Sequence, residues 1–206
     1  MLDGRAWTAG ELAKHAGVAR STASEHLNLL AAGGLIRERR QGRHRYLELA
    51  DGSAALLLED LLGRTRAQQA AARTTSLQAS SQARALAGGR TCYDHLAGEL
   101  GVTITAGMIG RGLLSKDLAL TPAGDTWLRT EVGADFSATR RPITRACLDW
   151  TERRPHLAGA AGAQLCRHAL DRQWVRRIGS GRAVRITDAG RACFHESLGI
   201  EFSERC

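Results

Sequence analysis

Lysine is almost missing from this 206-residue chain: Lys14 and Lys116 are the only two, although lysine and arginine together number 29 against 21 acidic residues. Such exclusive use of arginine, beside abundant alanine and glycine, has the look of a high-GC coding bias, so the formal charge of +8 is weak ground for a polyanionic partner. Its distribution says more. Residues 1–50 hold eight basic and five acidic side chains and residues 92–136 hold three and six, so one end suits a polyanion and the middle does not. No apolar run is long enough to cross a bilayer, and no basic-then-apolar signal segment follows Met1, which points to the cytoplasm and away from a membrane. No cysteine precedes Cys92. The five present (Cys92, Cys147, Cys166, Cys193 and Cys206) are odd in number and scattered through a chain long enough to build its own core. That excludes a disulfide-stapled scaffold and fits free thiols in a reducing compartment. The motifs G-x-S-x-G, H-E-x-x-H and G-x-x-x-x-G-K-[ST] are absent, and Gly179-Ser180-Gly181 falls in a hairpin turn rather than before a helix, so an enzyme is not expected.

What is present is concentrated first in Thr8 to Leu49. Thr8 stands three residues before Glu11, the spacing of a capping box, with Trp7 and Leu12 placed to close a hydrophobic staple. The helix so started runs through Glu11–Ala16 and is expected to stop at Gly17. A second helix is predicted from Arg20 to Ala32, with Ala23, Leu27 and Leu30 as its buried stripe and polar residues opposite. Gly33-Gly34 ends it. Leu35 to Arg40 then alternates as an exposed strand would, Gln41-Gly42 turns, and Arg43 to Leu49 returns. This is a helix-turn-helix followed by a wing. Arg20, Ser21, Thr22, Ser24, Glu25 and Asn28 are the candidates for contact with base edges in a groove. Between its first and last arginine the wing carries Arg37, Arg39, Arg40, Arg43 and Arg45 against one acidic residue, Glu38, and of these Arg39, Arg40, Arg43 and Arg45 are the candidates for the phosphate backbone. Double-stranded DNA is the expected partner. The bland alternative is a winged-helix module for protein contact whose arginines only solvate a hairpin.

Ala13-Lys14-His15-Ala16-Gly17-Val18, Ser21 through Leu27, Gly34-Leu35-Ile36 and Arg40-Gln41-Gly42-Arg43 together resemble the winged helix of ArsR/SmtB-type bacterial repressors. Cys147-Leu148-Asp149-Trp150-Thr151-Glu152-Arg153-Arg154-Pro155-His156-Leu157-Ala158-Gly159 resembles a subfamily with an added C-terminal domain. The resemblance implies a homodimer that binds an operator, represses, and lets go when an effector binds. It also implies a further, dimer-forming helix ahead of Met1-Leu2-Asp3-Gly4, which read as the tail of one. The cysteine pair that metal-sensing members carry on the helix matching Glu11–Ala16 is not found here.

Beyond the wing, Ser53–Leu62 is an apolar helix whose successive leucines Leu56, Leu57 and Leu58 cannot all face one core, so part of it is expected to meet another element or subunit. Gly63–Gln82 reads as a partly helical connector. The second half repeats itself. His95-Leu96-Ala97-Gly98 returns as His156-Leu157-Ala158-Gly159, and Leu120-Thr121-Pro122-Ala123-Gly124 as Ile186-Thr187-Asp188-Ala189-Gly190. Each copy reads as helix, helix, ribbon and helix, with Thr121 or Thr187 as the last N-cap and a hairpin joining Trp174–Ile178 to Ala183–Ile186 in the second. The fold class is mainly α with small β-hairpin wings (α+β). A winged helix-turn-helix (1–50) is followed by an apolar helix and connector (51–91), then a C-terminal sensor or dimerisation domain (92–206) of two degenerate winged-helix-like repeats, 92–136 and 154–202.

Candidate chemistry gathers where the copies meet. Cys92 and His95 are placed on one face of a predicted helix, Cys147, Asp149 and Glu152 come from the joint between copies, and His156 begins the second copy. Thiolate and imidazole suit a soft metal ion or a redox effector, and a small organic effector is equally open. The bland reading makes the histidines satisfied structural residues and Cys92 and Cys147 small core hydrophobes. A thiol enzyme using Cys147 and His156 is the remote alternative.

Overall fold

A computed structural model describes residues 6–41, 44–55, 57, 58, 61, 77–179 and 181–206, which form two compact units, Met1–Leu61 and Leu62–Cys206. Met1–Gly4, the turn glycine Gly42, Arg43, Leu56, most of the connector and Ser180 lie outside the described residues.

In the first unit, strand β1 (Trp7–Thr8) leads into helix α1 (Ala9–Ala16). Thr8 caps α1 as its spacing predicts. Its hydroxyl accepts from the Glu11 amide at 3.2 Å while the Glu11 carboxylate accepts from the Thr8 amide at 2.8 Å. Gly17 ends the helix at φ 67°, where a Cβ is disfavoured. Helix α2 (Arg20–Ala32) follows, then strands β2 (Ile36–Gln41) and β3 (His44–Leu49). The sheet order is β1-β3-β2, and the β2–β3 register runs from Ile36↔Leu49 to Gln41↔His44. Sequence patterning gave no sign of β1, because two residues are too few to show alternation. Ala13, Ala23, Leu27, Ile36, Leu47 and Leu49 are buried. Leu30 departs from its expected stripe: at 39 % exposure it sits in the last turn of α2, past the edge of a core this small. Leu57 and Leu61 are also exposed, as the leucine-rich stretch suggested.

The second unit opens with helix α3 (Leu77–Gly88) and then shows the repeat in three dimensions. The first copy is a hairpin of β4 (Arg90–Cys92) and β5 (His95–Ala97), helix α4 (Gly98–Gly110), a narrow turn closed by the bridge Leu114↔Leu120, and helix α5 (Pro122–Glu131). The second is a hairpin of β6 (Arg145–Leu148) and β7 (Pro155–Ala158), helix α6 (Gly159–Asp171), a true ribbon of β8 (Val175–Arg177) and β9 (Val184–Ile186), and helix α7 (Asp188–Leu198). Two assignments read from the sequence change here. Cys92 and His95 lie on paired strands rather than a helix, because Tyr93, at φ 58°, reverses the chain before a helical turn can form. The two successive helices expected in each copy are a single one: in the first, α4 runs unbroken through residues 103–109, and its internal glycines are packing positions, since a Cβ on Gly101 would meet the Leu96 carbonyl and one on Gly107 the Ile200 side chain.

The copies interlock. The Leu157 amide of β7 donates to Thr105 Oγ1 of α4 at 2.9 Å, and Gly162 of α6 brings that helix against the His95 Cβ. One continuous core joins both copies, with Leu100, Met108 and Leu128 from the first and Val175, Val184 and Phe194 from the second among its most buried members. Full burial of such side chains stabilises by about 1.5–3 kcal/mol each.

Candidate nucleic-acid interface and a buried cysteine-histidine cluster

Helix α2 buries Ala23 and Leu27 and turns its polar side outward. Arg20, Ser21, Thr22, Glu25 and Asn28 are exposed and Ser24 is half-buried, so the whole candidate face is open to a partner. Short hydroxyl side chains at the helix start keep the backbone approachable, and the helix N-terminus favours a phosphate.

The wing is less uniform than a count of arginines suggests. Glu38 gathers two of them, accepting from Arg40 Nε at 2.8 Å and from Arg45 Nε at 2.7 Å. The Arg40 bond, set against slight desolvation and joined by Arg45, holds the Glu38 carboxyl below the usual carboxylate range. Arg45 also donates to Asn28 Oδ1 at 2.8 Å, and its side chain is only 27 % exposed, so it ties the wing to α2. Arg40 stays 81 % exposed despite its pair, and Arg39 is exposed as well. Arg37 pairs with Glu48 across the ribbon. Arg43 lies outside the described residues.

In the second unit four of the six candidate effector residues converge. Cys92 and His95 face each other across β4–β5, and Cys147 and His156 across β6–β7. All four are buried, and their ligand atoms lie within 4.8 Å of one another. His95 Nε2 and His156 Nε2 are 3.2 Å apart. The Cys147 thiol is pulled far below its ordinary range by the hydrogen bond from Cys92, helped by both imidazoles and opposed by burial.

The other two candidates stand elsewhere. Asp149 is a supporting residue: its Oδ2 accepts from the Gly98 amide at 2.7 Å and from Arg90 at 2.9 Å, while Oδ1 takes Thr151 and the Glu152 amide. Burial raises its carboxyl, but the Arg90 charge and these donors outweigh that and hold it well below the usual range. Glu152 brings its backbone N–H to Asp149, not its carboxylate to the cluster. Sequence reading also passed over the arginines that hold the aspartates behind the histidines. His95 Nδ1 is 3.3 Å from Asp94 Oδ1, and Asp94 is paired with Arg141. His156 Nδ1 is 3.4 Å from Asp149 Oδ2, and Asp149 is paired with the fully buried Arg90, whose guanidinium lies 4.6 Å from the Trp150 ring centre. Each hairpin thus supplies one cysteine, one histidine, and an aspartate held by an arginine. The signal was available, since Cys92 and Cys147 precede equivalent histidines, but eight residues separate Cys147 from His156 where two separate Cys92 from His95.

A model of the helix-turn-helix domain family matches residues 1–39. A relative from Bacillus subtilis (strain 168), named as the uncharacterized HTH-type transcriptional regulator YdfF, is 38 % identical over 207 residues, spanning 98 % of this chain and 89 % of its own. No solved structure matches the chain. No helix among the described residues is long and apolar enough to cross a membrane. With an outward polar helix beside an arginine ribbon and a relative similar along almost its full length, the chain belongs to the helix-turn-helix transcriptional regulators, proteins that bind DNA.

Proposed function

We propose that the chain is a cytoplasmic, homodimeric repressor of the ArsR type that binds an operator through residues 1–50 and is released by an effector sensed in the C-terminal domain, residues 92–206, with 51–91 connecting them. Arg20, Ser21, Thr22, Ser24, Glu25 and Asn28 read the groove, and Arg39, Arg40, Arg43 and Arg45 hold the backbone. The observation that carries this is the exposure of the whole polar face of α2 next to a ribbon rich in arginine. Exposed leucines at 57 and 61 support a self-association surface. The converging Cys92, His95, Cys147 and His156 are the effector site, with Asp149 behind His156 and Glu152 reaching it only through its backbone N–H to Asp149.

The test is selection of duplexes from a randomised pool, followed by fluorescence anisotropy on the enriched sequence. A specific complex tighter than its scrambled control by about 10³-fold or more is expected. Replacing Ser21, Thr22 and Asn28 with alanine is expected to erase that preference while leaving weak, sequence-blind binding. If selection enriches nothing and no duplex binds at any salt concentration, the proposal fails and the winged helix is a protein-contact module.

A further inference from the structure

We propose that Cys92, His95, Cys147 and His156 bind one zinc-class divalent cation in a closed, four-ligand site that clamps the two repeats of the second unit together. The proposal names a ligand class for the effector site above and rests on that reading for its regulatory meaning, but not for its geometry.

The first argument is shape. A tetrahedral zinc with bonds of about 2.0–2.1 Å to nitrogen and about 2.3 Å to sulfur has ligand-to-ligand edges of about 3.3–3.8 Å. The two Nε2 atoms stand 3.2 Å apart and all four donor atoms fall within 4.8 Å, so the ligands are gathered close to the spacing an ion needs.

The second argument is protons. Asp94 Oδ1 is hydrogen-bonded to His95 Nδ1 at 3.3 Å, and an ionised carboxylate there favours the tautomer that leaves Nε2 free to bind an ion, while Asp149 Oδ2 lies 3.4 Å from His156 Nδ1 without closing a hydrogen bond. The two Nε2 atoms face each other at 3.2 Å, and in the loaded site the ion replaces the contact between them. An aspartate bonded behind the imidazole, as at His95, is the support that zinc-bound histidines commonly have, fixing tautomer and ring orientation.

The third argument is charge. Each supporting aspartate is already balanced by its own arginine, Asp94 by Arg141 and Asp149 by Arg90. Two thiolates with a dication sum to zero, so the loaded site buries no net charge. Soft thiolates with imidazoles in this ratio select zinc over magnesium or calcium. Four protein ligands leave no open position for substrate, which marks the site as structural or sensory rather than catalytic. Because each hairpin donates one cysteine and one histidine, the ion crosslinks residues that are 52 to 64 positions apart in the chain.

The experiment is metal analysis of the full chain, expressed with added zinc and purified under reductant. About one zinc per chain is expected, falling to about a tenth or less in the double variant Cys92→Ser/Cys147→Ser and unchanged in Cys166→Ser and Cys193→Ser. Exchange with Co2+ is expected to give tetrahedral d–d bands and thiolate-to-cobalt charge-transfer absorption. Because serine variants can fail to fold, the wild-type chain is also stripped with a chelator, and its thermal midpoint is expected to fall by about 10 °C and to recover on adding zinc. Three results overturn the proposal: no zinc and no cobalt spectrum in the wild type, full zinc retained by the double variant, or a Cys92–Cys147 disulfide in the reductant-purified protein. These readouts are independent of DNA. A chain that holds zinc but binds no duplex sinks the regulator reading alone, and one that binds its operator without taking metal sinks this one alone.

Discussion

Arg90 has its guanidinium fully buried, where an unpaired cation would be prohibitive. It is tolerated because Asp149, the Leu86 carbonyl and Thr151 accept its protons and Trp150 lies beside it. The pair gains little over a well-packed apolar substitute, but removing one member strands the other. Arg90→Ala or Asp149→Ala is therefore expected to cost about 3–5 kcal/mol, and Arg90→Met with Asp149→Leu clearly less than the sum of the two. Urea titrations followed by tryptophan fluorescence measure this; strictly additive losses would show that no buried ion pair is at stake. Asp149 shows how residue type can be legible while role is not. Its place beside a cysteine and ahead of a histidine suggested a ligand, and only folding revealed that amide and guanidinium donors consume it, leaving it behind His156 rather than in the cluster.

Among the elements, the repeated glycines explain why the internal repeat was visible at all. Gly124 at the start of α5 would bring a Cβ to 2.0 Å from the Leu113 carbonyl, and Gly190 at the start of α7 would bring one to 2.1 Å from the Trp174 carbonyl. In both copies the capping threonine accepts from that glycine's amide and its own hydroxyl donates to the same carbonyl region, Thr121 to Leu113 and Thr187 to Trp174. Any side chain there must push the helix off its ribbon. Gly124→Ala and Gly190→Ala are each expected to destabilise by about 1–3 kcal/mol or more, read as a loss of thermal midpoint. An alanine tolerated at either position without loss would contradict this packing. The caps and the glycines could be read from sequence because each acts within a few residues. The β4–β5 hairpin could not, because three-residue strands carry no periodicity and Cys92-x-x-His95 fits a helix face as well as a tight reversal.

On the scale of the whole molecule, the wing sets exposed positive charge beside the outward face of α2. Arg39 and Arg40 of the wing are exposed, whereas Arg45 is shared between Glu38 and Asn28. Each phosphate contact contributes about 0.9 to the slope of log K against log salt. Arg39→Ala with Arg40→Ala is thus expected to weaken operator binding and flatten that slope by about two units. Arg45→Ala is expected to weaken binding with a smaller change of slope, since it loosens the link between wing and α2. Anisotropy titrations at several salt concentrations distinguish the two; equal slopes in all three proteins would remove the wing from the DNA interface.

By itself the sequence determined the helix-turn-helix, its capping box, the bounds of α2 and the two threonine-capped helices, because caps, turns and amphipathic stripes are local and chemically specific. Only the tertiary structure decided that Cys92, His95, Cys147 and His156 share one buried point and that Glu38 and Asn28 claim Arg45. Those meetings depend on strand register and on the packing of one copy against the other, and a linear pattern holds no record of either.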